Sequence, residues 1–248
     1  MRKTLAVGVM LAALTVLVGS ASANHSWNGY HWARTANPLT LQVGDNVTSA
    51  WDGYLDTAVA DWTQSNVLDL SKVAGQSKGK NCRPTSGRIE VCNRAYGNTG
   101  WLGIAQIWVT GGVHITQGVA KMNDTYFDTP QYNTPAWRRL VMCQEIAHDF
   151  GLDHQDENFS NPNLGSCMDY TSDPDGPPSN EHPNAHDFEE LQIIYSHLDS
   201  FSTISGAGAA FLPDAVPSFA PATRVSKSTY VDDLGGGRQL VTHVFWVE

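Results

Sequence analysis

Apolar residues recur along the chain with two different periods, and each period predicts one kind of element. In residues 47–64 the apolar spacing is near 3.6, which predicts an amphipathic helix. The side chains that define its apolar face are Val47, Trp51, Leu55, Ala58 and Trp62. Between about 66 and 124, β-branched and aromatic runs broken by Gly and Asn predict strands and turns. We therefore expect one mixed sheet beside the helix.

A second helix is predicted from the residues at its ends. Thr134 suits the N-cap, Pro135 suits the first helical position, and Gly151 suits the residue after the C-cap. A third helix is predicted to begin near Asn184. The Pro-, Asp- and Asn-rich loop 155–183 between them is too long for a plain connection and is a candidate binding loop. The expected fold class is α+β.

The two ends of the chain differ from the middle in composition. Residues 1–23 place two cations before an apolar run that ends in small residues, which predicts a signal peptide and a secreted, soluble protein without a membrane anchor. Residues 24–200 are predicted to form the main domain. Residues 201–248 are predicted to be a linker followed by a C-terminal hairpin, which we expect to pack on the main domain because a lone hairpin is barely stable in water.

The charge of the chain limits its partners. Of 15 Lys and Arg residues, removal of the signal peptide leaves 13 against 25 Asp and Glu, so the net charge changes from -10 to -12. An acidic surface disfavours binding to nucleic acid and to anionic membranes.

The chain has four cysteines, and an exported protein more often pairs them than binds metal with them. Three pairings are possible. We prefer Cys82 with Cys92 and Cys143 with Cys167, because these cysteines are neighbours in the sequence.

The second helix carries polar residues on the side that should be buried. Gln144 and His148 lie one turn apart on the apolar stripe. Burying an amide and an imidazole costs a few kcal/mol unless each finds a partner, and a metal would be one partner for both. Gly151 lets the chain turn, so that His154 can approach His148, and Glu145 lies beside them, placed to take a proton from a metal-bound water.

The residues from Gln144 to His154 read Q-E-x-x-H-x-x-G-x-x-H. This pattern resembles the metzincin zinc-protease signature H-E-x-x-H-x-x-G-x-x-H, with glutamine in place of the first histidine. Residues 166–170, SCMDY, resemble the Met-turn of that clan, and residues 100–108 resemble its substrate-binding edge strand. The likeness covers roughly residues 30–198 and is nearest to the matrixin-type members.

The resemblance implies a metzincin-like zincin fold with an open cleft, and a zinc-dependent endopeptidase that is secreted and monomeric. It implies zinc ligands at His148 and His154, with Gln144 in the remaining position. Glu145 would be the general base, Met168 the floor of the site, and Tyr170 a transition-state donor. A protein or peptide substrate would lie along the edge strand.

Gln144 leaves two hypotheses open. In the first, its amide oxygen completes a weaker zinc site and the protein is an active peptidase. In the second, the chain is an inactive metzincin-like domain that lost a zinc ligand and binds a peptide or protein. A bland interpretation makes His148 and His154 ordinary core histidines, and we interpret several other histidines in that ordinary way: His25, His31, His114 and His197.

Overall fold

The computed structural model describes residues 24–77, 81–204 and 222–247. The predicted signal peptide and most of the predicted linker, residues 205–221, lie outside the described residues. Within them the chain forms a mixed sheet with few helices, so the predicted α+β class is confirmed.

The sheet contains parallel and antiparallel strands. In chain order the described strands are β1 (His31–Trp32), β2 (Leu39–Asn46), β3 (Leu68–Ala74), β4 (Ile89–Arg94), β5 (Trp101–Thr110), β6 (His114–Asn123), β7 (Thr223–Arg224), β8 (Thr229–Gly235) and β9 (Arg238–Trp246). Their spatial order is β3-β2-β4-β6-β5-β9-β8-β7, and β1 pairs with β6. Strand β5 runs antiparallel to both of its neighbours, β6 and β9, whereas β2, β3, β4 and β6 are parallel where they pair with one another.

The described helices are α1 (Asp52–Trp62), α2 (Asp124–Phe127), α3 (Pro135–His148) and α4 (Ala185–Ile194). Helix α1 begins five residues after the predicted start at residue 47, because the backbone N–H groups of Val47 and Thr48 donate to side chains outside the helix. Helix α3 begins as predicted, and the Thr134 hydroxyl accepts from the backbone N–H of Trp137 at 3.3 Å.

Helix α3 packs on β5 and β6 and contacts α1, which packs on β3 and β2. The buried Trp62 of α1 donates its indole N–H to the carbonyl oxygen of Cys143 at 3.1 Å. Both preferred disulfides are confirmed, Cys82–Cys92 and Cys143–Cys167, each with a Cα–Cα distance of 6.0 Å. No helix in the described residues has the length and apolar character needed to cross a membrane.

The prediction of an open edge strand at residues 100–108 is wrong. Strand β9 pairs with β5 from Trp101 opposite Trp246 to Thr110 opposite Arg238. The C-terminal hairpin therefore continues the main sheet. Its strand β9 occupies the edge of β5 at which the resemblance implied a bound substrate. Sequence patterns could not show this, because strand pairing depends on a partner more than a hundred residues away.

Candidate metal centre

The end of α3 and the glycine after it bring two predicted ligands together. His148 is the last residue of α3, and Gly151 has a φ of +101°, in the left-handed region. A Cβ atom at position 151 would also overlap the carbonyl oxygen of Tyr30, so only glycine fits. The chain turns back at this point, and the Nε2 atoms of His148 and His154 lie 3.2 Å apart.

The other ring nitrogens of these histidines fix the proton positions. Nδ1 of His148 lies 2.7 Å from the carbonyl oxygen of Leu152, and Nδ1 of His154 lies 3.1 Å from a carboxylate oxygen of Glu157. The hydrogen bond from His154 lowers the pKa of Glu157, which keeps that carboxylate ionised. Because both partners only accept, each Nδ1 carries a proton, and when both rings are neutral each Nε2 presents a lone pair to the other. Two facing lone pairs repel each other, and a cation bound by both nitrogens would remove that repulsion.

A third imidazole, from His243 of β9, completes the group. Its ring stacks on His148 with centroids 4.1 Å apart and lies 4.4 Å from the ring of His154. It is fully buried, and within the described residues neither of its nitrogens has a hydrogen-bond partner. Ligand atoms of all three histidines lie within 4.8 Å of one another. The ring of Trp27 lies edge-on beside two of them, 5.5 Å from His148 and 5.8 Å from His243.

Sequence reasoning did not single out His243. It follows His154 by 89 residues (243 − 154) and carries no spacing that links it to the motif of α3. The available signal was the polar ring within the apolar run VTHVFW, because a histidine flanked by strand-forming apolar residues is a buried polar group that needs a partner.

Gln144 lies in the same buried region, but its amide is held by the protein. Its Nε2 donates to the carbonyl oxygen of Cys167 at 2.7 Å. Its Oε1 is buried and has no hydrogen-bond partner in the described part of the chain. The side chain is therefore oriented by its nitrogen and keeps an unused oxygen, and its role as a metal ligand stays a prediction.

Glu145 is a fully buried carboxyl group with no hydrogen-bond partner among the described residues. It packs against Gly103 of β5, where a Cβ atom would overlap the carboxyl group and Val141. The absence of a side chain at position 103 thus makes room for this acid. Burial raises the pKa of Glu145 well above its ordinary value, and the nearby Asp149 raises it further.

The loop that carries Met168 is held firmly below α3. The Cys143–Cys167 disulfide joins α3 to this loop directly. The Ser166 hydroxyl donates to Asp187 of α4 at 2.7 Å and accepts from the backbone N–H of Met168 at 2.9 Å. Asp187 also accepts from the backbone N–H of Asn184 in a capping box. The N-terminal end of α4 and the Met168 loop are therefore one hydrogen-bonded unit.

Tyr170 lies at the junction between this loop and the hairpin. Its ring centroid is 4.4 Å from that of His154, and its hydroxyl donates weakly to Ser228 and to the carbonyl oxygen of Val244, at 3.4 and 3.5 Å. Burial raises the pKa of Tyr170 well above its ordinary value, so the hydroxyl remains a donor. In this form the donor is directed at the hairpin rather than at an open cleft.

A cavity of about 460 Å³ adjoins the histidine group between the N-terminal segment and the hairpin. Its walls include Trp27, Asp153, Glu157 and Thr229. Because Glu157 also accepts from His154, one wall residue of the cavity contacts the histidine group.

No known family model matches this chain, and no curated protein is significantly similar to it. Three neutral imidazoles suit zinc and other borderline transition metals, and a three-histidine set leaves a fourth position for water or substrate. Two facing lone pairs and a ring with two unpartnered nitrogens both fit such an ion.

Proposed function

We propose that this chain is an exported zinc-dependent endopeptidase of the metzincin type, described here in a closed form, with His148, His154 and His243 as zinc ligands. The observation that carries the proposal is His243. A buried imidazole whose nitrogens have no hydrogen-bond partner in the described residues costs a few kcal/mol, and it lies against two lone pairs that already converge. One metal ion accounts for all three rings.

Several further features support the same class. Helix α3 lies along the antiparallel strand β5, and the loop with Met168 is joined to α3 by a disulfide. These are the elements that the resemblance of residues 144–154 and 166–170 implies. Two disulfides also suit an oxidising compartment outside the cytosol.

The catalytic roles proposed for the chain's own residues are few. When bound, zinc would polarise the scissile carbonyl and lower the pKa of the attacking water. In its ionised form, Glu145 would accept a proton from that water and return it to the leaving amine. The hydroxyl group of Tyr170 would donate a hydrogen bond to the carbonyl oxygen as negative charge develops there. The backbone of β5 would hold the substrate as an added strand.

The closed form cannot bind a substrate in this way. Strand β9 uses the backbone groups of β5 that a peptide would need, so the peptide and the hairpin exclude each other. Displacing β9 would also withdraw His243. We propose that Gln144, whose Oε1 is unpartnered, then takes the third ligand position. The form with His243 bound would be latent.

The long pairing of β5 with β9 favours one other function. If the hairpin never leaves, the chain is an inactive metzincin-like domain in which metal only fastens β9, and any peptide or protein partner binds another surface. The two proposals agree on the metal and differ on catalysis.

Cleavage of an unfolded protein substrate distinguishes them. We would compare protein beginning at Asn24 with an unlocked variant, Gln144→His/His243→Ala, which restores the histidine of the motif and frees β9 from the metal. The matched control adds Glu145→Gln to the unlocked variant. We expect slow cleavage by the wild type, cleavage at least about tenfold faster by the unlocked variant, and a loss of about 10²–10⁴ in the control, with zinc retained.

The peptidase proposal would be overturned if the wild-type and unlocked proteins, both folded and loaded with zinc, showed no cleavage that depends on Glu145. That result would leave the inactive binding domain. Circular dichroism of each variant separates a loss of fold from a loss of chemistry.

A further inference from the structure

A second group of metal-binding side chains lies apart from the candidate metal centre and shares no residue with it. It joins three segments that are distant in sequence, namely β1, the start of β6 and the chain after α4. Its members are three histidines and one carboxylate: His31, His114, His197 and Asp199.

One oxygen of Asp199 lies at the middle of this group. Oδ1 is 3.3 Å from Nε2 of His114, 3.7 Å from Nε2 of His31 and 3.9 Å from Nε2 of His197. The Nε2 atoms of His31 and His197 are 3.2 Å apart. Ligands of one tetrahedral zinc are about 3.4 Å apart when each bond is about 2.0–2.1 Å. These four distances lie near that value, and the donor atoms of His31, His114 and Asp199 all lie within 4.8 Å of one another, as expected for ligands of a common centre.

The His31 ring is buried and oriented for binding. Its Nδ1 lies 2.8 Å from the carbonyl oxygen of Gly29, which only accepts, so Nδ1 carries the proton. Nε2 then directs its lone pair into the group. A metal-bound histidine shows the same arrangement, with its second nitrogen donating to a backbone carbonyl.

Asp199 is oriented by a buried arginine. Its Oδ2 accepts from the backbone N–H of Arg34 at 3.1 Å and from Nη1 of Arg34 at 3.4 Å, which leaves Oδ1 for the histidines. The guanidinium also donates to the carbonyl oxygens of Tyr195 and His197. Hydrogen bonds from the surrounding protein thus fix the carboxylate before any ion binds.

We propose that His31, His114 and Asp199, with His197 as the fourth ligand, bind a structural Zn²⁺ ion. Three imidazoles and one carboxylate match the ligands that zinc prefers, whereas calcium and magnesium prefer oxygen alone. The four protein donors fill a tetrahedral shell, which is the pattern of structural rather than catalytic sites. The ion would fasten the N-terminal segment to the β5–β6 turn and to the chain after α4. The competing explanation is that the histidines only share protons with Asp199.

Zinc content provides the first test. Full-length chain beginning at Asn24 would be loaded with zinc, dialysed, and compared with His114→Ala. We expect the variant to hold about one zinc per chain less than the wild type. The control is His182→Ala, because His182 is half-exposed, hydrogen-bonds to Asp61 and belongs to neither group. The control should keep the wild-type zinc content.

A second variant keeps the test independent of the candidate metal centre. In His148→Ala/His243→Ala protein only the second group remains, and zinc titration should still show about one ion per chain and raise the melting temperature. Adding Asp199→Asn, which keeps the shape of the side chain, should remove both responses. Folded His114→Ala and Asp199→Asn proteins with unchanged zinc content would overturn the proposal and leave a proton-sharing group.

Discussion

The two histidine groups of this chain have similar donors and different surroundings. At the candidate metal centre all three rings are buried, none of the three candidate ligands is a carboxylate, and Glu145, three residues before His148 on α3, has no hydrogen-bond partner in the described residues. In the second group His114 and His197 are partly exposed, and Asp199 is held through Oδ2 by Arg34 while its Oδ1 faces the histidines.

The difference separates two uses of one metal. Neutral imidazoles leave the charge of a divalent ion uncompensated, so an ion at the candidate metal centre would be strongly electron-withdrawing. The carboxyl group of Glu145 has no hydrogen-bond partner in the described residues and would be available for proton transfer. A carboxylate ligand and four protein donors would instead neutralise the ion in the second group and leave no place for substrate. Histidine content alone does not distinguish these cases, whereas a carboxylate among the ligand atoms does.

The largest expected effect breaks the candidate metal centre alone. We expect His243→Ala to weaken zinc binding there by more than about 100-fold, above the 10–100-fold typical for partners outside the ligand shell. Competition with a chromophoric chelator would measure it. Zinc in the second group should be unaffected, and adding Gln144→His should recover most of the affinity. An unchanged affinity in His243→Ala would show that this ring is not a ligand.

The next effect concerns the Cys143–Cys167 disulfide. Its loop spans 24 residues, so Cys143→Ser/Cys167→Ser should lower the free energy of unfolding by on the order of 3 kcal/mol. It should also weaken zinc binding at the candidate metal centre, because α3 and the Met168 loop are no longer joined. The matched control, Cys82→Ser/Cys92→Ser, should destabilise the chain without changing that affinity. Urea unfolding and zinc competition measure the two quantities, and an equal zinc affinity in both variants would contradict the link.

A smaller change at the same centre tests the partner of His154. Glu157→Gln keeps an acceptor oxygen near Nδ1 of His154 but removes the negative charge of the carboxylate. The imidazole of His154 then becomes a weaker ligand for the metal. We expect zinc affinity to fall by about 10–100-fold, less than for His243→Ala. Titration at constant pH would measure it, and a loss as large as that of His243→Ala would mean that Glu157 binds the ion directly.

The smallest effect sharpens the account of the second group. His197 is its most exposed ligand, with about half of its side chain accessible. Because a water can take a vacated fourth position, His197→Ala should weaken zinc there by less than about tenfold and keep the stoichiometry. His114→Ala, in contrast, should abolish binding, and equal losses in the two variants would contradict this ranking.

The parts of the fold with local signals could be predicted from sequence. The N-cap at Thr134, Pro135 and the left-handed Gly151 are each determined by a few neighbouring residues; α3 begins where they place it, and its C-cap, Asp149, lies one residue before the expected position. The two disulfides join cysteines that are close along the chain. Strand β2 was missed, although its first half alternates between buried and exposed residues, and the start of α1 was misplaced because contacts from Asn93 are invisible in a helical pattern.

The candidate site was predicted only in the part encoded by one helix and one turn. His148, His154 and Glu145 share a motif, whereas His243 and the covering of β5 depend on pairing between distant strands. The second group shows the same limit. Its histidines were interpreted as ordinary residues, because no spacing connects residues 31, 114 and 197 until the chain is folded.

The separation of 89 positions between His154 and His243 also sets an order of events during synthesis. Translation produces α3 and the Gly151 turn long before β9 exists, and contacts of such large sequence separation form late in folding. A nascent chain that meets zinc early has only two histidines of this centre to offer. Tight binding of an ion at this centre would require the hairpin to dock on β5 first. A bound metal would therefore indicate that the last strands of the sheet are in register.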